Sequence, residues 1–323
     1  MLSKFIIQWL TFLLIVLISF SSVQHPVTSG YINELRERAD TVMKQEDPLY
    51  MEILKRQKDY EIAPVDAVID KVWKAIPGYN GLKLDVQASF ERLKEEKEFQ
   101  EEKLVFTQIP PETVLADLPP SPVYRGNPEK PMAALMVNVA WGNEYLPGML
   151  KTMKKHGIQS TFFLDGSWVK NNPNLAKMIV EEGHEIGNHA YSHPDMKNLS
   201  RAAISEEIRK TNEVIEAVLD LKPELFAPPS GSYRQDVVEV AREHGMYTIL
   251  WTADTVDWKK PEPFAMAERT VSKTEPGALI LMHPTSSAED GLEAIITGIK
   301  EKGLVIGTVS DVLSENRIAR PKQ

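Results

Sequence analysis

Three histidines stand in a residue pattern that could support metal-dependent hydrolysis. His189 and His193 are four residues apart, and on a helical turn this spacing places both imidazoles on one side, where they can share a metal ion. Imidazole suits zinc, and a catalytic zinc normally takes three protein ligands and leaves one position for water. The alternative is that each histidine is a hydrogen-bonded core or capping residue. The pair alone is therefore a weak signal, strengthened by its place after a strand-like run.

A second group of side chains could supply acid chemistry and substrate contacts. His283 could act as a general acid, since the unperturbed pKa of histidine lies near neutral pH, or it could be a buried histidine bonded to a carbonyl. Asp254 and Asp257 could orient such a histidine or simply cap a loop. Tyr191 and Trp258 could stack on sugar rings, although aromatic residues at such positions are as often packing residues.

These residues follow strand-like runs in a region where strands and helices alternate, which predicts parallel strands joined by crossover helices. The predicted strands are 133–139, 160–164, 185–188, 225–227, 246–250, 278–282 and 304–308. The predicted helices are 145–156, 175–182, 202–219, 236–244 and 291–302. Seven such units can form a deformed (β/α)7-type barrel, whose site would lie at the C-terminal ends of the strands. An open doubly wound sheet is the second possibility, but no glycine-rich fingerprint follows the first strand.

Composition limits the class of protein. With 323 residues, 42% of them hydrophobic and 26% charged, the chain can form one barrel-sized domain and a smaller piece. Its net charge of -9 argues against nucleic acid as a partner. Because it has no cysteine, disulfides, thiolate ligands and a cysteine nucleophile are excluded.

The N-terminus indicates export. Lys4 precedes an apolar run over residues 5–20, which fits the charged and hydrophobic regions of a secretory signal. Residues 1–24 are therefore predicted to be a signal peptide or a membrane anchor. The small residues at 19–23 form only a weak cleavage site, so both alternatives stay open, and the expected location is the cell surface or the membrane.

Residues 31–108 are predicted to form a small α/β module without catalytic residues. Its predicted segments are a helix-like stretch over 31–61, apolar residues at helical spacing over 63–76, a turn at 77–81, a strand at 82–86 and a helix at 88–100. Prolines in residues 109–130 then mark a linker, and residues 131–316 form the predicted barrel domain.

From about residue 131 to residue 312 the sequence resembles the NodB-homology polysaccharide deacetylases, carbohydrate esterase family 4. The family motif His-Ser/Thr-x-x-His is matched by residues 189–193, with Ala190 at the Ser/Thr position. The Leu-x-His motif is matched by residues 281–283 and the Asp-Trp motif by residues 257–258. With its N-terminal segment and module, the chain is similar to the sporulation-associated, YlxY-type branch of the family.

The resemblance implies a deformed (β/α)7 barrel that removes acetyl groups from chitin, xylan or peptidoglycan with a metal held by one aspartate and two histidines. His189 and His193 would bind the metal, and His283 with Asp257 would form the general-acid pair. A backbone N–H near Ser230 would help to hold the oxyanion. The residues expected to contact the glycan are Tyr191, Ser230 and Trp258.

Three positions depart from the family pattern. The motif Thr-Phe-Asp-Asp-Gly, which holds the general base and then the metal-binding aspartate, is replaced by residues 138–142 with Ala140 and Trp141 at the two aspartate positions. The arginine that pairs with the base is replaced by Ala227. These losses belong together, because an arginine without its carboxylate would be an unpaired charge in a closed site.

We therefore expect a catalytically impaired deacetylase-family protein that binds acetylated cell-wall glycan, with the membrane as a further partner if the N-terminal segment is uncleaved. Zinc, or another divalent metal, would be weakly bound or absent, since two histidines offer few ligands and no neutralising charge. The indole of Trp141 donates only through its N–H and cannot replace a carboxylate. The alternative is an active metal-dependent N-deacetylase with an unconventional base, for which Asp165 is the nearest candidate.

Overall fold

The structure, a computed structural model, describes residues 4–6, 8–14, 16, 30 and 47–318. The described residues between 4 and 16 are helical. Within the described part of the chain, no helix is both long enough and apolar enough to cross a membrane. The predicted signal or anchor segment of residues 1–24 lies partly outside the described residues, as does the helix-like stretch of 31–61, and export stays a prediction.

The chain divides into two compact units, which are described separately. The smaller comprises residues 1–62 and 82–107, and the larger comprises residues 63–81 and 108–323. Residues 63–81 thus lie in the larger unit, although the predicted module of residues 31–108 includes them.

The secondary structure from residue 47 onwards consists of short strands and mostly short helices. The strands are β1 Val68–Asp70, β2 Lys74–Ile76, β3 Gly81–Leu84, β4 Phe106–Ile109, β5 Met132–Val139, β6 Thr161–Leu164, β7 Glu185–Asn188, β8 Leu225–Phe226, β9 Tyr247–Thr248, β10 Ala253–Asp254, β11 Ala278–Met282 and β12 Val305–Gly307. The α-helices are α1 Pro48–Arg56, α2 Val86–Leu93, α3 Leu146–Lys155, α4 Gly166–Asn171, α5 Pro173–Glu181, α6 Arg201–Leu219, α7 Gln235–Glu243, α8 Pro263–Lys273, α9 Ser286–Glu301 and α10 Val309–Leu313.

The smaller unit packs α1 and α2 around a compact apolar core. An aspartate caps each helix: Asp47 accepts the N–H of Leu49 at 2.8 Å, and Asp85 accepts that of Ala88 at 2.9 Å. The core residues are Leu49, Ile53, Leu84, Phe90, Leu93 and Leu104. The predicted helix of residues 88–100 ends earlier, at Leu93, because residues 94–98 are all charged and offer the core no apolar side chain.

Within the segment of residues 63–76, residues 68–76 form a hairpin, so the helix suggested by the apolar spacing is absent there. Strands β1 and β2 pair antiparallel, with Val68 opposite Ile76. The Asp70 carboxylate accepts the N–H groups of Val72 and Trp73, both at 2.7 Å, and this fixes the turn. Valine and isoleucine, being β-branched, also favour extended backbone over helix.

The larger unit is built on one curled sheet of parallel strands in the order β10-β11-β5-β6-β7-β8-β9, with β12 also paired to β5. Strand β11 pairs with one edge of β5, while β12 and β6 pair with the first and second halves of the opposite edge. All seven predicted strands are present to within two residues at each end. The predicted alternation of parallel strands and helices is therefore confirmed, and the sheet is a curled half-barrel consistent with the predicted deformed (β/α)7 barrel. Strand β10 is an additional two-residue strand.

Strand β5 separates two apolar cores, and all eight of its residues are buried. Leu135, Val137 and Val139 point towards the helices, whereas Ala134 and Met136 point into the barrel. A parallel strand covered on both faces is expected to be continuously apolar, as this one is up to Asn138. The last residues of β5 therefore lie near the middle of the sheet, at its C-terminal edge.

Side-chain caps fix where the helices around the sheet begin, and some of these starts differ from the predicted ones. Helix α9 begins at Ser286, five residues before the predicted start, because the Thr285 hydroxyl accepts the N–H of Ala288 at 3.1 Å. The short helices α4 and α10 were not predicted, since five or six residues show no helical period.

The segment predicted as a linker, residues 109–130, contains buried residues. Val123 is fully buried and pairs with Ile249. Lys130 is only 2% exposed, and its ammonium group donates to the carbonyls of Ser314, at 2.7 Å, and Asp311. These carbonyls lie at the end of α10, where a helix has no internal donors left, so Lys130 caps the helix. Burial lowers the pKa of Lys130 to about 8, although the charges of Asp311 and Glu315 oppose this change.

This buried lysine predicts a pH-dependent stability. The pKa of Lys130 is lower in the folded chain than in the unfolded chain, so the folded state binds fewer protons between those two values. The stability contribution is therefore complete above the unfolded pKa and is lost as the pH falls through about 8. In urea unfolding, the free energy of unfolding should rise more steeply with pH above 8 for the wild type than for Lys130→Met. The exposed-site control Lys222→Met should follow the wild type, and equal slopes for wild type and Lys130→Met would contradict this account.

Candidate functional site

The predicted site residues meet at one end of the curled sheet. Parallel strands end at the same edge, so the residues that follow them are brought together. Those residues are Ala140 and Trp141 after β5, Asp165 after β6, His189 and His193 after β7, Ala227 and Ser230 after β8, Asp257 and Trp258 after β10, and His283 after β11.

His189 and His193 lie close together, with ring centroids 5.2 Å apart. The segment that carries them is an irregular loop, so the two rings meet without the helical turn that their spacing would also allow. Ala190 and His193 have φ angles of 61° and 53°, in the left-handed region, and these two turns bring the rings together. The buried Asn188 stabilises the loop by accepting the N–H of Ala190 at 2.8 Å.

Glu207, on α6, holds the other end of this loop. Its carboxylate accepts the N–H groups of Tyr191 and Ser192, both at 2.9 Å, and the Ser192 hydroxyl at 3.0 Å. Hydrogen bonds to a carboxylate are among the stronger ones in proteins. Glu207 was missed in the sequence, because nothing distinguishes this glutamate from the other acidic residues of a charged helix.

His189 is neutral and fixed. It is 1% exposed, and the carbonyl of Ala227 lies 2.7 Å from its Nδ1, so Nδ1 carries the proton and Nε2 keeps its lone pair. Burial lowers the pKa of His189 to about 3, and the neighbouring charges of His193 and His283 act in the same direction. His193, by contrast, is exposed at the mouth of the site.

His283 and Asp257 form a closely bonded pair. The Asp257 carboxylate is fully buried and lies 3.0 Å from Nδ1 of His283. Its other oxygen accepts the backbone N–H of His283 and the Thr255 hydroxyl, both at 2.7 Å. Asp257 therefore orients the imidazole and leaves Nε2 for proton transfer. Asp254 instead accepts the N–H of Val256 at 2.8 Å, so it is the loop cap of the two aspartates.

Trp141 lies against the imidazole of His283. The two rings are parallel to within 8°, with centroids 6.0 Å apart, and the tryptophan is 46% exposed. The neighbouring Gly142 has a φ angle of 81°, and a Cβ atom there would lie 2.0 Å from the carbonyl oxygen of Pro284. Only glycine allows this approach between the two loops, which holds Trp141 over His283.

Asp165, the candidate replacement base, is engaged elsewhere. Its carboxylate caps α4 by accepting the N–H of Trp168 at 2.9 Å and the Ser167 hydroxyl at 2.6 Å. Asp165 is 2% exposed, and burial raises its pKa, with both hydrogen bonds and His193 opposing the change. This is the environment of a structural carboxylate.

The residues present do not fit the metal site that the family pattern implies. Among the residues that the structure describes, no group of three or more histidine, cysteine, aspartate or glutamate side chains could hold a metal ion. His189 and His193 supply two nitrogen ligands, and the positions of the family carboxylates hold a methyl group and an indole, which cannot coordinate. A catalytic zinc normally has three protein ligands, so the set is incomplete.

The three predicted glycan contacts differ in environment. Trp258 is 55% exposed, and the ammonium group of Lys259 lies 4.9 Å from its ring centroid. Ser230 is exposed, with a φ angle of 54°. Tyr191 is half-buried, and its ring packs so closely on Gly166 that a Cβ there would lie 2.8 Å from it. The roles of these three residues stay predictions.

The chain is similar to known polysaccharide deacetylases in sequence and in structure. Residues 125–249 match the polysaccharide deacetylase family. An uncharacterized protein of Bacillus subtilis (strain 168), YlxY, is 48% identical over 317 residues, or 98% of this chain and 99% of the relative. PdaA of the same organism, a peptidoglycan-N-acetylmuramic acid deacetylase, is 30% identical over 61% of this chain and 77% of its own length.

The solved structures that resemble this chain include a protein described as a pseudoenzyme of carbohydrate esterase family 4. The crystal structure of wild-type BA3943, a CE4 family pseudoenzyme from Bacillus anthracis, is 50% identical, with a TM-score of 0.81 over 84% of this chain and 97% of that one. A mutant of BA3943 with restored enzymatic activity has a TM-score of 0.80. The chain therefore belongs to the polysaccharide deacetylases of carbohydrate esterase family 4, as a member with Ala140, Trp141 and Ala227 at the positions of two aspartates and an arginine of the family pattern.

Proposed function

We propose that this protein binds acetylated cell-wall glycan at the C-terminal end of its barrel without hydrolysing it at the rate of an active family member. The observation that carries the proposal is the contact between Trp141 and His283. An indole occupies the position of the metal-binding aspartate and stacks on the general-acid histidine, which still keeps its partner Asp257. The acid half of the machinery is intact, and the half that activates water is missing.

Deacetylation requires a group that removes a proton from water, and the aspartate that does so in the family pattern is absent from this chain. Ala140 offers only a methyl group at the position of the base. The carboxylate of Asp165 is committed to the cap of α4, and His189 holds its proton towards the carbonyl of Ala227. General-base catalysis contributes roughly 100- to 10,000-fold to a rate, so its loss alone makes an enzyme very slow.

The replacement of the family arginine by Ala227 is consistent with the replacement of its partner, the base aspartate, by Ala140. Ala227 is fully buried and belongs to the apolar cluster inside the barrel, with Leu225 and Ile249. An arginine at this position would be buried without a carboxylate partner, which is strongly unfavourable. The replacement of both partners leaves no unpaired charge behind.

Acetylated peptidoglycan is the substrate class that the relatives support. PdaA is named as a deacetylase of peptidoglycan N-acetylmuramic acid, and BA3943 is named as a pseudoenzyme of the same family. We propose that this chain keeps the recognition of such glycan in the loops around His283 and lacks the hydrolysis. The alternative, an active enzyme with an unconventional base, finds less support because Asp165 is a helix cap.

Acetate release from N-acetylated chito-oligosaccharide and peptidoglycan fragments, with zinc supplied, tests this proposal. The wild-type chain should release no acetate above the blank. A variant that combines Ala140→Asp, Trp141→Asp and Ala227→Arg should release acetate at about 100 times the detection limit or more, because it regains the base, the metal carboxylate and the arginine partner. The restored activity described for a BA3943 mutant supports this expectation.

His283→Ala added to the triple variant is the matched control, and it should remove the regained activity. If the wild type released acetate as fast as the triple variant, the proposal of impaired catalysis would be wrong. Asp165→Asn would then show whether Asp165 is the base, and circular dichroism would check that the helix cap it provides is not essential for folding.

We also propose that the protein is exported and acts at the cell surface. Lys4 followed by the apolar run of residues 5–20 supports this location. In cell fractionation, the full chain should be found in the membrane or extracellular fraction, and a chain lacking residues 1–24 should be found in the cytoplasm. A cytoplasmic full-length chain would contradict export.

A further inference from the structure

We propose that Trp141 is a stacking platform for the ring of an N-acetylated sugar, so that this site binds glycan through an aromatic face and without a metal ion. The inference rests on the proposed glycan-binding function and adds a role for the residue that replaces the metal carboxylate. In the family pattern this position holds the metal-binding aspartate, whereas in this chain it would hold a ring that contacts the sugar.

The exposure of Trp141 is the first argument. The side chain is 46% exposed even though the imidazole of His283 lies parallel to its ring. An indole that served only to fill the former metal position would be expected to be buried there. Sugar rings present C–H groups on their flat faces, and an aromatic ring combines a large apolar face with a fixed geometry for such contacts.

The rigidity of the platform is the second argument. Asp257, fully buried, holds His283 by its backbone and its ring, at 2.7 and 3.0 Å, and His283 supports one face of the indole. Gly142 locks the adjoining loop against the carbonyl of Pro284. A preformed aromatic surface binds more tightly than a mobile one, because less freedom is lost when the ligand arrives.

The neighbouring aromatic side chains are less available. The ammonium group of Lys259 lies over the ring of Trp258, at 4.9 Å from its centroid. Tyr191 packs on Gly166, and the ammonium group of Lys210 lies 5.7 Å from its ring centroid. Of Tyr191, Trp258 and Trp141, Trp141 is therefore the one whose ring has no cation over it among the residues that the structure describes.

The chemistry of the surroundings favours an uncharged sugar ring. The net charge of the whole chain is -9, so no strong positive field attracts an anionic ligand. A stacking contact with a neutral pyranose needs no such field. The ligand class is thus an N-acetylated hexose within a glycan chain.

Isothermal titration calorimetry of the full chain with fully N-acetylated chitotetraose, in the presence of EDTA, tests the inference. The wild type should bind equally well with and without EDTA. Trp141→Ala should bind at least about 10-fold more weakly, because aromatic stacking and the buried area are both lost. Trp141→Phe should stay within about threefold of the wild type, since it keeps an aromatic face.

Leu221→Ala is the matched control, because Leu221 is also an exposed apolar residue, with 38% of its surface accessible. It lies just before β8 and therefore at the N-terminal end of the sheet, opposite the site. This substitution should leave binding unchanged. Equal or tighter binding by Trp141→Ala would overturn the inference and show that the indole only blocks the site, and binding lost in EDTA would overturn it as well. A wild type that bound neither chitotetraose nor purified peptidoglycan sacculi would refute the proposed glycan-binding function itself.

Discussion

The buried carboxylate of Asp257 is the interaction on which the site depends. It accepts hydrogen bonds from the Thr255 hydroxyl and from the backbone and ring of His283, so it ties the loop after β10 to the end of β11. A buried carboxylate is stable only with such partners. Because His283 is fixed in this way, Trp141 can stack on it, and the loops after three strands become one rigid surface.

The other half of the site shows what remains when a metal centre loses its carboxylates. His189 and His193 are still brought together by a loop with two left-handed residues, held by Asn188 and by Glu207. His189 is neutral, with its proton directed to the carbonyl of Ala227, as a ligand histidine would be. The two histidines of the family pattern are thus held close together, while the carboxylates of that pattern are absent.

The sequence predicted the parallel sheet and the C-terminal edge at which the site residues meet, because apolar runs that alternate with crossover helices give strong periodic signals. It failed where the signal was local or too short. Val68 and Val72 have helical spacing but lie in a hairpin that Asp70 closes, and two-residue strand β10 shows no pattern. Glu207 and the cap made by Asp165 depend on contacts between distant segments, and Trp141 could be identified as a replacement but not as a ring stacked on His283.

The central claim is that the site lacks the charge needed to hold a metal, and zinc titration by calorimetry tests it most directly. The comparison is between the wild type and Trp141→Asp, which returns one carboxylate to the position of the family's metal-binding aspartate. We expect weak zinc binding by the wild type and binding tighter by about 100-fold in the variant, since the third ligand and its negative charge are restored. Equally tight binding by both proteins would contradict the account.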